Sequence, residues 1–141
     1  MTNATKLHII LGMGLIKIIN TPARSAIREF LSTVESPVDV EQIIAFLRSR
    51  KLNTNKVTVY RTLDFLFKNG IVDRLEFQEG KFRYEIKKMD HHHLICTNCR
   101  RVGDIADSFI KKFEEEIKKK RSFLVKNHAL EFFGICKNCQ S

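Results

Sequence analysis

One helix decides the fold of the first half of this chain: Asn53-Thr54-Asn55-Lys56-Val57-Thr58-Val59-Tyr60-Arg61-Thr62-Leu63-Asp64-Phe65-Leu66-Phe67-Lys68-Asn69-Gly70. The Asn and Thr side chains at its start are good N-caps, and Asn69-Gly70 is a good C-terminal cap. Its apolar residues recur at helical spacing, so we expect one face to be buried. That face consists of Val59, Leu63, Leu66 and Phe67, and the other face carries Lys56, Thr58, Arg61 and Lys68.

Two helices are predicted immediately upstream, and a short one before them over residues 9–18. The first starts at Asn20-Thr21-Pro22, with proline at the first helical position, and ends at Ser36-Pro37. The second starts with a capping box formed by Asp39 and Gln42. Its buried stripe is predicted to contain Val40, Ile43, Ile44 and Leu47.

Two strands are predicted after the third helix, over residues 72–77 and 81–86, around a Gly-containing turn. Phe82, Tyr84 and Ile86 alternate along the second strand as a half-buried strand requires. Three helices and a two-stranded wing indicate a winged helix-turn-helix over residues 1–87, whose third helix enters the DNA major groove. The alternative is a small α+β domain with a basic face that binds nothing in particular.

The charge of the chain favours a polyanionic partner. Its 141 residues include 25 Lys and Arg against 16 Asp and Glu, a net charge of +9. Nucleic acid is the commonest partner of such a protein, although a merely soluble basic protein is the alternative. No membrane association is expected, because the apolar stretch over residues 9–19 is too short to span a bilayer and carries Lys17. We expect a cytoplasmic protein, because the first residues lack a secretory signal.

The remaining residues, 88–141, read as a small α/β domain. Strands are predicted over residues 91–97, 101–105 and 130–135, with a helix over residues 107–121. Phe109, Phe113 and Ile117 form the expected buried stripe of that helix. A unit of this size buries little core alone, so we expect it to need a metal, a partner subunit or both.

Four cysteines in this domain predict a structural zinc site. Cys96 and Cys99 form one Cys-x-x-Cys pair, Cys136 and Cys139 form another, and 36 residues lie between the two pairs. Each pair suits the bite of a tetrahedral Zn²⁺ ion, and four thiolates leave no open position for catalysis. The alternatives are four unrelated buried thiols or a redox-active dithiol pair.

Histidines at the start of the domain predict a second metal site. Alternate strand residues share a face, so His91 and His93 point to one side, where Glu85 and Asp104 could approach them. Two imidazoles and two carboxylates suit Zn²⁺, Fe²⁺ or Mn²⁺ without choosing among them. A weaker site on the opposite side would use Asp90, His92 and His128. The alternative is that these histidines are solvated or hydrogen-bonded.

Several motifs together resemble the ferric-uptake-regulator family. They are Thr58-Val59-Tyr60-Arg61-Thr62-Leu63, His91-His92-His93-Leu94-Ile95-Cys96-Thr97-Asn98-Cys99, Asn127-His128 and the second cysteine pair, in the family's order. This resemblance implies a dimeric, metal-responsive repressor with an N-terminal winged helix and a C-terminal α/β dimerisation domain. Such a protein binds double-stranded DNA at palindromic, A·T-rich operators when a divalent metal occupies the site at the hinge.

The resemblance also implies residue roles. DNA contacts fall on Thr58, Tyr60 and Arg61 of the third helix, on Arg24 of a Thr-Pro-x-Arg element and on Lys17. The structural zinc ligands would be Cys96, Cys99, Cys136 and Cys139. The regulatory ligands at the hinge would be Glu85, His91, His93 and Asp104.

Two positions depart from the family pattern. Pro37 stands where the family has a histidine that completes the hinge site, which weakens the expected allosteric link and argues against peroxide sensing. Lys111 stands where the family has a carboxylate of the second regulatory site. A constitutive DNA-binding repressor with structural zinc alone is therefore the main alternative. A zinc hydrolase built on Glu85, His91 and His93 lacks a nucleophile and a substrate pocket, so no enzyme is expected.

Overall fold

The structure, a computed structural model, describes residues 8–10, 15–17, 21–89, 91–106 and 108–141. The chain divides into a unit that ends at Ile86 and a unit from Lys87 to Ser141. The helices are α1 (Pro22–Thr33), α2 (Val40–Ser49), α3 (Lys56–Lys68) and α4 (Ser108–Arg121), with a 3-10 turn at Lys137–Cys139. The strands are β1 (His8–Ile10), β2 (Leu15–Lys17), β3 (Val38–Asp39), β4 (Val72–Glu76), β5 (Phe82–Ile86), β6 (His91–Cys96), β7 (Val102–Ala106) and β8 (Glu131–Gly134).

The helix ends of the N-terminal unit follow from local chemistry. Thr21 caps α1, whose first residue is Pro22, and its hydroxyl accepts a hydrogen bond from the Arg24 amide at 3.3 Å. Asp39 and Gln42 form the predicted capping box of α2, with both reciprocal hydrogen bonds at 2.9 Å. Asn55 caps α3. The capping predictions are therefore confirmed.

A three-stranded antiparallel sheet, in the order β3-β5-β4, completes this unit. The first strand of this sheet, β3, was not predicted; it is a two-residue strand in which Val38 pairs with Tyr84. The core unites the three helices with the sheet, and Ile27, Ile43, Val59 and Leu63 are completely buried in it. Three helices and a wing are thus present as predicted.

Three expectations for this unit were wrong. Residues 8–10 and 15–17 form the antiparallel pair β1–β2, where a helix was predicted. The β-branched isoleucines and the two glycines of that segment disfavour a helix. Phe67 is 37% exposed, because it stacks against the guanidinium of Arg74, at 4.5 Å, outside the core. Phe82 is also exposed, since it covers the other face of the same guanidinium at 4.6 Å.

The C-terminal unit is a three-stranded sheet, in the order β7-β6-β8, with α4 between β7 and β8 along the chain. β6 pairs antiparallel with β7 and parallel with β8. The predicted buried stripe of α4 was wrong at Phe113, which is 62% exposed in the single chain. Among the described residues, no helix is long and apolar enough to cross a membrane.

Candidate metal centres and nucleic-acid interface

The four cysteines lie together at one end of the C-terminal sheet. Cys96 is the last residue of β6, Cys99 lies on the turn after it, and the second pair follows β8. All four Sγ atoms lie within 4.8 Å of one another, and those of Cys99 and Cys136 are 3.7 Å apart. Four thiolates at about 2.3 Å from a tetrahedral Zn²⁺ ion would be separated by about 3.8 Å. The donor set and its spacing therefore fit zinc.

Backbone amides favour an anionic sulfur at this site. The amides of Cys136 and Cys99 donate to the Sγ of Cys96 at 3.4 and 3.5 Å, and they lower the pKa of Cys96 to about 6. Asn98 lowers the pKa of Cys139, but the neighbouring thiols and burial outweigh it and raise that pKa to about 11. Because thiolates repel one another, the cluster as a whole ionises readily only beside a cation.

A second group of ligand atoms forms across β6 and β7. His93 lies directly opposite Asp104, and the rings of His91 and His93 on the same face are 4.8 Å apart between centroids. Nδ1 of His91 lies 3.1 Å from the carbonyl oxygen of Met89. A carbonyl only accepts, so Nδ1 carries the proton and Nε2 presents the lone pair that a metal requires. The ligand atoms of His91, His93 and Asp104 lie within 4.8 Å of one another.

Lys88 faces the carboxylate of this group. Its Nζ lies 3.0 Å from Oδ2 of Asp104, and the two side chains are 38% and 36% exposed. The ammonium thus neutralises the carboxylate that would bind a metal ion. This contact was not predicted, because a lysine outside a regular element has no sequence pattern that fixes its partner.

The two remaining positions of the predicted hinge site lie in the N-terminal unit. Glu85 is the fourth residue of β5, and its side chain is buried, with 3% exposure. Pro37, at the position where the resemblance led us to expect a further ligand, is completely buried beside β3. A buried carboxylate is costly unless a cation or hydrogen bonds compensate it.

On the other face of β6, the structure brings two of the three predicted ligands together and adds a carboxylate beside one of them. His92 and His128 lie together, with their Nε2 atoms 3.1 Å apart, while Asp90 lies outside the described residues. Nδ1 of His128 lies 2.7 Å from Oε1 of Glu114. Glu114 stands one turn after Lys111 on α4, so a carboxylate is supplied from a neighbouring turn of the same helix. Sequence spacing of one helical turn was the signal that could have identified it.

The outer face of α3 carries the predicted DNA-contacting residues. Val59, Thr62, Leu63 and Leu66 are buried on the inner face. Thr58 and Arg61 are exposed, and Tyr60 is 46% exposed. A tyrosine ring and a guanidinium on an exposed helix face have the chemistry to contact thymine methyls and guanine or phosphate.

Arg24 of α1 lies beside this helix. Its guanidinium lies 5.1 Å from the centroid of the Phe65 ring on α3, a cation–π contact that holds the charge near the outer face. The contact between Arg24 and Phe65 was not predicted from the sequence. Lys17 is the last residue of β2, and its side chain is not among those described.

Comparisons with known proteins agree with this architecture. The chain matches the sequence profile of the ferric uptake regulator family over residues 16–133. The ferric uptake regulation protein of Bacillus subtilis (strain 168) is 34% identical over 124 residues, which cover 84% of this chain and 83% of that protein. The Helicobacter pylori ferric uptake regulator, whose structure is described as revealing three functional metal binding sites, is 32% identical. It superimposes with a TM-score of 0.79, covering 86% of this chain and 82% of that one. A zinc-bound manganese uptake regulator superimposes with a TM-score of 0.71 at 29% identity, covering 82% of this chain and 89% of that one.

A winged helix followed by a small α/β unit with a four-cysteine cluster defines a class of metal-responsive, DNA-binding transcription regulators. The chain belongs to the ferric uptake regulator family. Members of this family are transcription factors, not enzymes.

Proposed function

We propose that this protein represses transcription by binding palindromic, A·T-rich operators as a homodimer when a divalent metal occupies the site of His91 and His93. The observation that carries the proposal is the paired presence of an exposed recognition face on α3 and a three-ligand group across β6 and β7. Metal and DNA then raise each other's affinity by the same factor, typically about 5- to 150-fold.

In this proposal the four cysteines hold a structural Zn²⁺ ion. The ion would supply charge compensation for the thiolates and a link between the end of β6 and the segment after β8. Zinc binding of this kind is worth on the order of 10 kcal/mol of folding free energy. It would offset the small apolar core of the C-terminal unit.

The regulatory ion would be held by Glu85, His91, His93 and Asp104. The three ligands of the C-terminal unit are supported by the distances between their ligand atoms, which lie within 4.8 Å of one another. Glu85 is included because its carboxylate is buried and because it precedes His91 by six residues, about 20 Å of extended chain at most. A ligand set with members in both units links metal binding to DNA binding.

The homodimer is proposed to form through the C-terminal unit. All four residues of β8 are exposed, and β8 is an edge strand among the strands that the structure describes. An open groove of about 420 Å³ lies beside it. Its apolar lining includes Leu94, Phe132, Phe133 and Ile135, which are 38–46% exposed. An uncovered apolar edge of this kind favours pairing with a second copy of the same sheet.

A further metal site on His92 and His128 is favoured by one distance. The two Nε2 atoms are 3.1 Å apart and form a hydrogen bond in this structure, and this separation is close to the roughly 3.3 Å between two imidazole nitrogens bound to one tetrahedral ion at about 2.0 Å. Glu114, bonded to the other ring nitrogen of His128, orients that ring as an outer carboxylate does in many metal sites.

Operator affinity tests the proposed function directly. Fluorescence anisotropy would follow binding of the zinc-loaded protein to DNA from upstream of its own coding sequence, at fixed salt, with Fe²⁺, Mn²⁺ and Zn²⁺ titrated separately. We expect one ion to tighten binding at least tenfold, and His93→Ala to remove that gain without loss of the fold. Tight binding that ignores all three ions would instead establish the alternative, a constitutive repressor, which the buried Pro37 favours.

A further inference from the structure

Val57 occupies an unusual place for an aliphatic side chain. It lies in the first turn of α3 and is 56% exposed. At 100° per residue it falls about opposite the buried side of the helix, defined by Val59, Leu63 and Leu66. Its position is therefore near the centre of the outer face.

Val57 has an aromatic and a basic neighbour on the same face of the helix. Tyr60 and Arg61 stand three and four residues after Val57, the spacing at which helix side chains are adjacent. Val57 and the 46% exposed Tyr60 thus form a small apolar pair beside a guanidinium. The basic residue before it, Lys56, is paired with Glu41 of α2.

The N-terminal residues of a recognition helix are those that contact base edges in the major groove. A branched alkyl group there has no hydrogen bond to offer. The apolar group that base edges present in that groove is the C5-methyl of thymine. An exposed valine at the centre of the outer face would therefore favour thymine, by contact with this methyl group. At any other base it would remove water from a polar edge without replacing the lost hydrogen bonds.

We propose that Val57 is a specificity-determining residue that reads the methyl group of one thymine in each operator half-site. This inference rests on the proposed DNA-binding function and adds a residue to it. The N-terminal end of the recognition helix would then prefer thymine.

Deoxyuridine substitution tests the contact, because deoxyuridine is thymidine without the methyl group. A duplex selected from random DNA by the metal-loaded, full-length protein would be remade with each thymine replaced singly by deoxyuridine. Burial of one methyl group corresponds to about a fourfold change in affinity. We expect wild type to lose about fourfold at one thymine per half-site, and Val57→Ala to lose less than about 1.5-fold on the same replacement.

Two further variants serve as controls. Val57→Thr keeps the branched shape and one of the two branch methyl groups, so its deoxyuridine penalty should lie between those of wild type and Val57→Ala, while it melts at the same temperature as wild type. Lys68→Ala, at the far end of the same face, should weaken binding to all duplexes equally and keep the penalty.

The outcomes separate the two levels of the proposal. Equal deoxyuridine penalties in wild type and Val57→Ala at every thymine would overturn the role of Val57 and leave the DNA-binding function in place. Selection that enriches no sequence would overturn the proposed function itself.

Discussion

Lys88 forms an ion pair with the carboxylate of Asp104, which we assign to the regulatory ion. The lysine ammonium and the metal ion therefore compete for this carboxylate. Removal of the ammonium by Lys88→Gln should therefore tighten metal binding. An exposed ion pair contributes at most about 1 kcal/mol, which limits the gain to about fivefold. Calorimetric titration of the zinc-loaded protein with Mn²⁺ would measure it.

The adjacent Lys87 provides a matched control, since it has no ion pair within the described ranges. Lys87→Gln removes the same charge from the same segment and should leave metal affinity within about 1.5-fold of wild type, as expected for general screening. Equal gains in both variants would refute direct competition and indicate a general charge effect.

Arg61 is predicted to carry direct base readout. Loss of a bidentate contact to a base edge costs about 1–3 kcal/mol, so Arg61→Ala should bind the selected operator about 5- to 150-fold more weakly. Binding to random-sequence DNA should weaken much less. A variant that lost affinity equally for both DNAs would show that Arg61 contacts phosphate alone.

Residue type and spacing predicted which candidate ligands lie close together better than they predicted the groups around them. Spacing constrains where the side chains of two close cysteine pairs, or of two histidines two residues apart on a strand, point. Cys96 and Cys136 were therefore correctly predicted to lie close together, and so were His91 and His93. Glu114 was missed because a family carboxylate was expected one turn earlier, at Lys111. A side-chain partner that lies on another element depends on tertiary packing, which spacing does not encode.

At the scale of the element, the N-cap of α2 links a helix to the wing. Burial raises the pKa of Asp39, but the hydrogen bonds from Lys81 and from the Gln42 amide outweigh it, so the pKa lies below its ordinary value. A lowered pKa means that the ionised carboxylate stabilises the folded state above pH ~4, and that this stability is lost as the pH falls below that value.

Asp39→Ala should accordingly lower the free energy of unfolding by about 1–2 kcal/mol at pH 7. The difference from wild type should shrink steadily as the pH falls below about 4. Urea unfolding across this pH range would measure it, with the exposed Glu35→Ala as the control for loss of a carboxylate outside the cap. A difference that stayed constant with pH would contradict the role of the charge.

Helix ends were predicted correctly at Thr21, Asp39 and Asn69 because capping is a local event that a few residues determine. Helix faces were predicted less well. Phe67 and Phe113 have the right period for burial, but each is exposed in the single chain. Periodicity identifies an apolar face, but it does not say whether that face packs against the core of the same unit, a stacked arginine or another subunit.

For the whole molecule, removal of the structural zinc should unfold one unit and spare the other. Cys96→Ser, or chelation of the wild-type protein, is expected to abolish the dimer and the thermal transition of the C-terminal unit, because the metal supplies much of its folding free energy. The winged helix has a separate core and should keep its own transition. Calorimetry and analytical ultracentrifugation would show both effects, and a stable dimeric Cys96→Ser protein would disprove the structural assignment.

The order of the cysteines along the chain sets the order in which the zinc site is assembled during synthesis, because β8 and the second cysteine pair follow β6. Thirty-six residues separate the two cysteine pairs, so the first pair leaves the ribosome well before the second. At about 5–20 residues per second, the nascent chain then carries two unprotected thiols for about 2–7 s. In that interval the half-formed cluster is open to oxidants and to competing soft metals. We therefore expect Cys96 and Cys99 to be oxidised more easily in newly made chains than in the zinc-loaded protein, which thiol alkylation at each stage would measure.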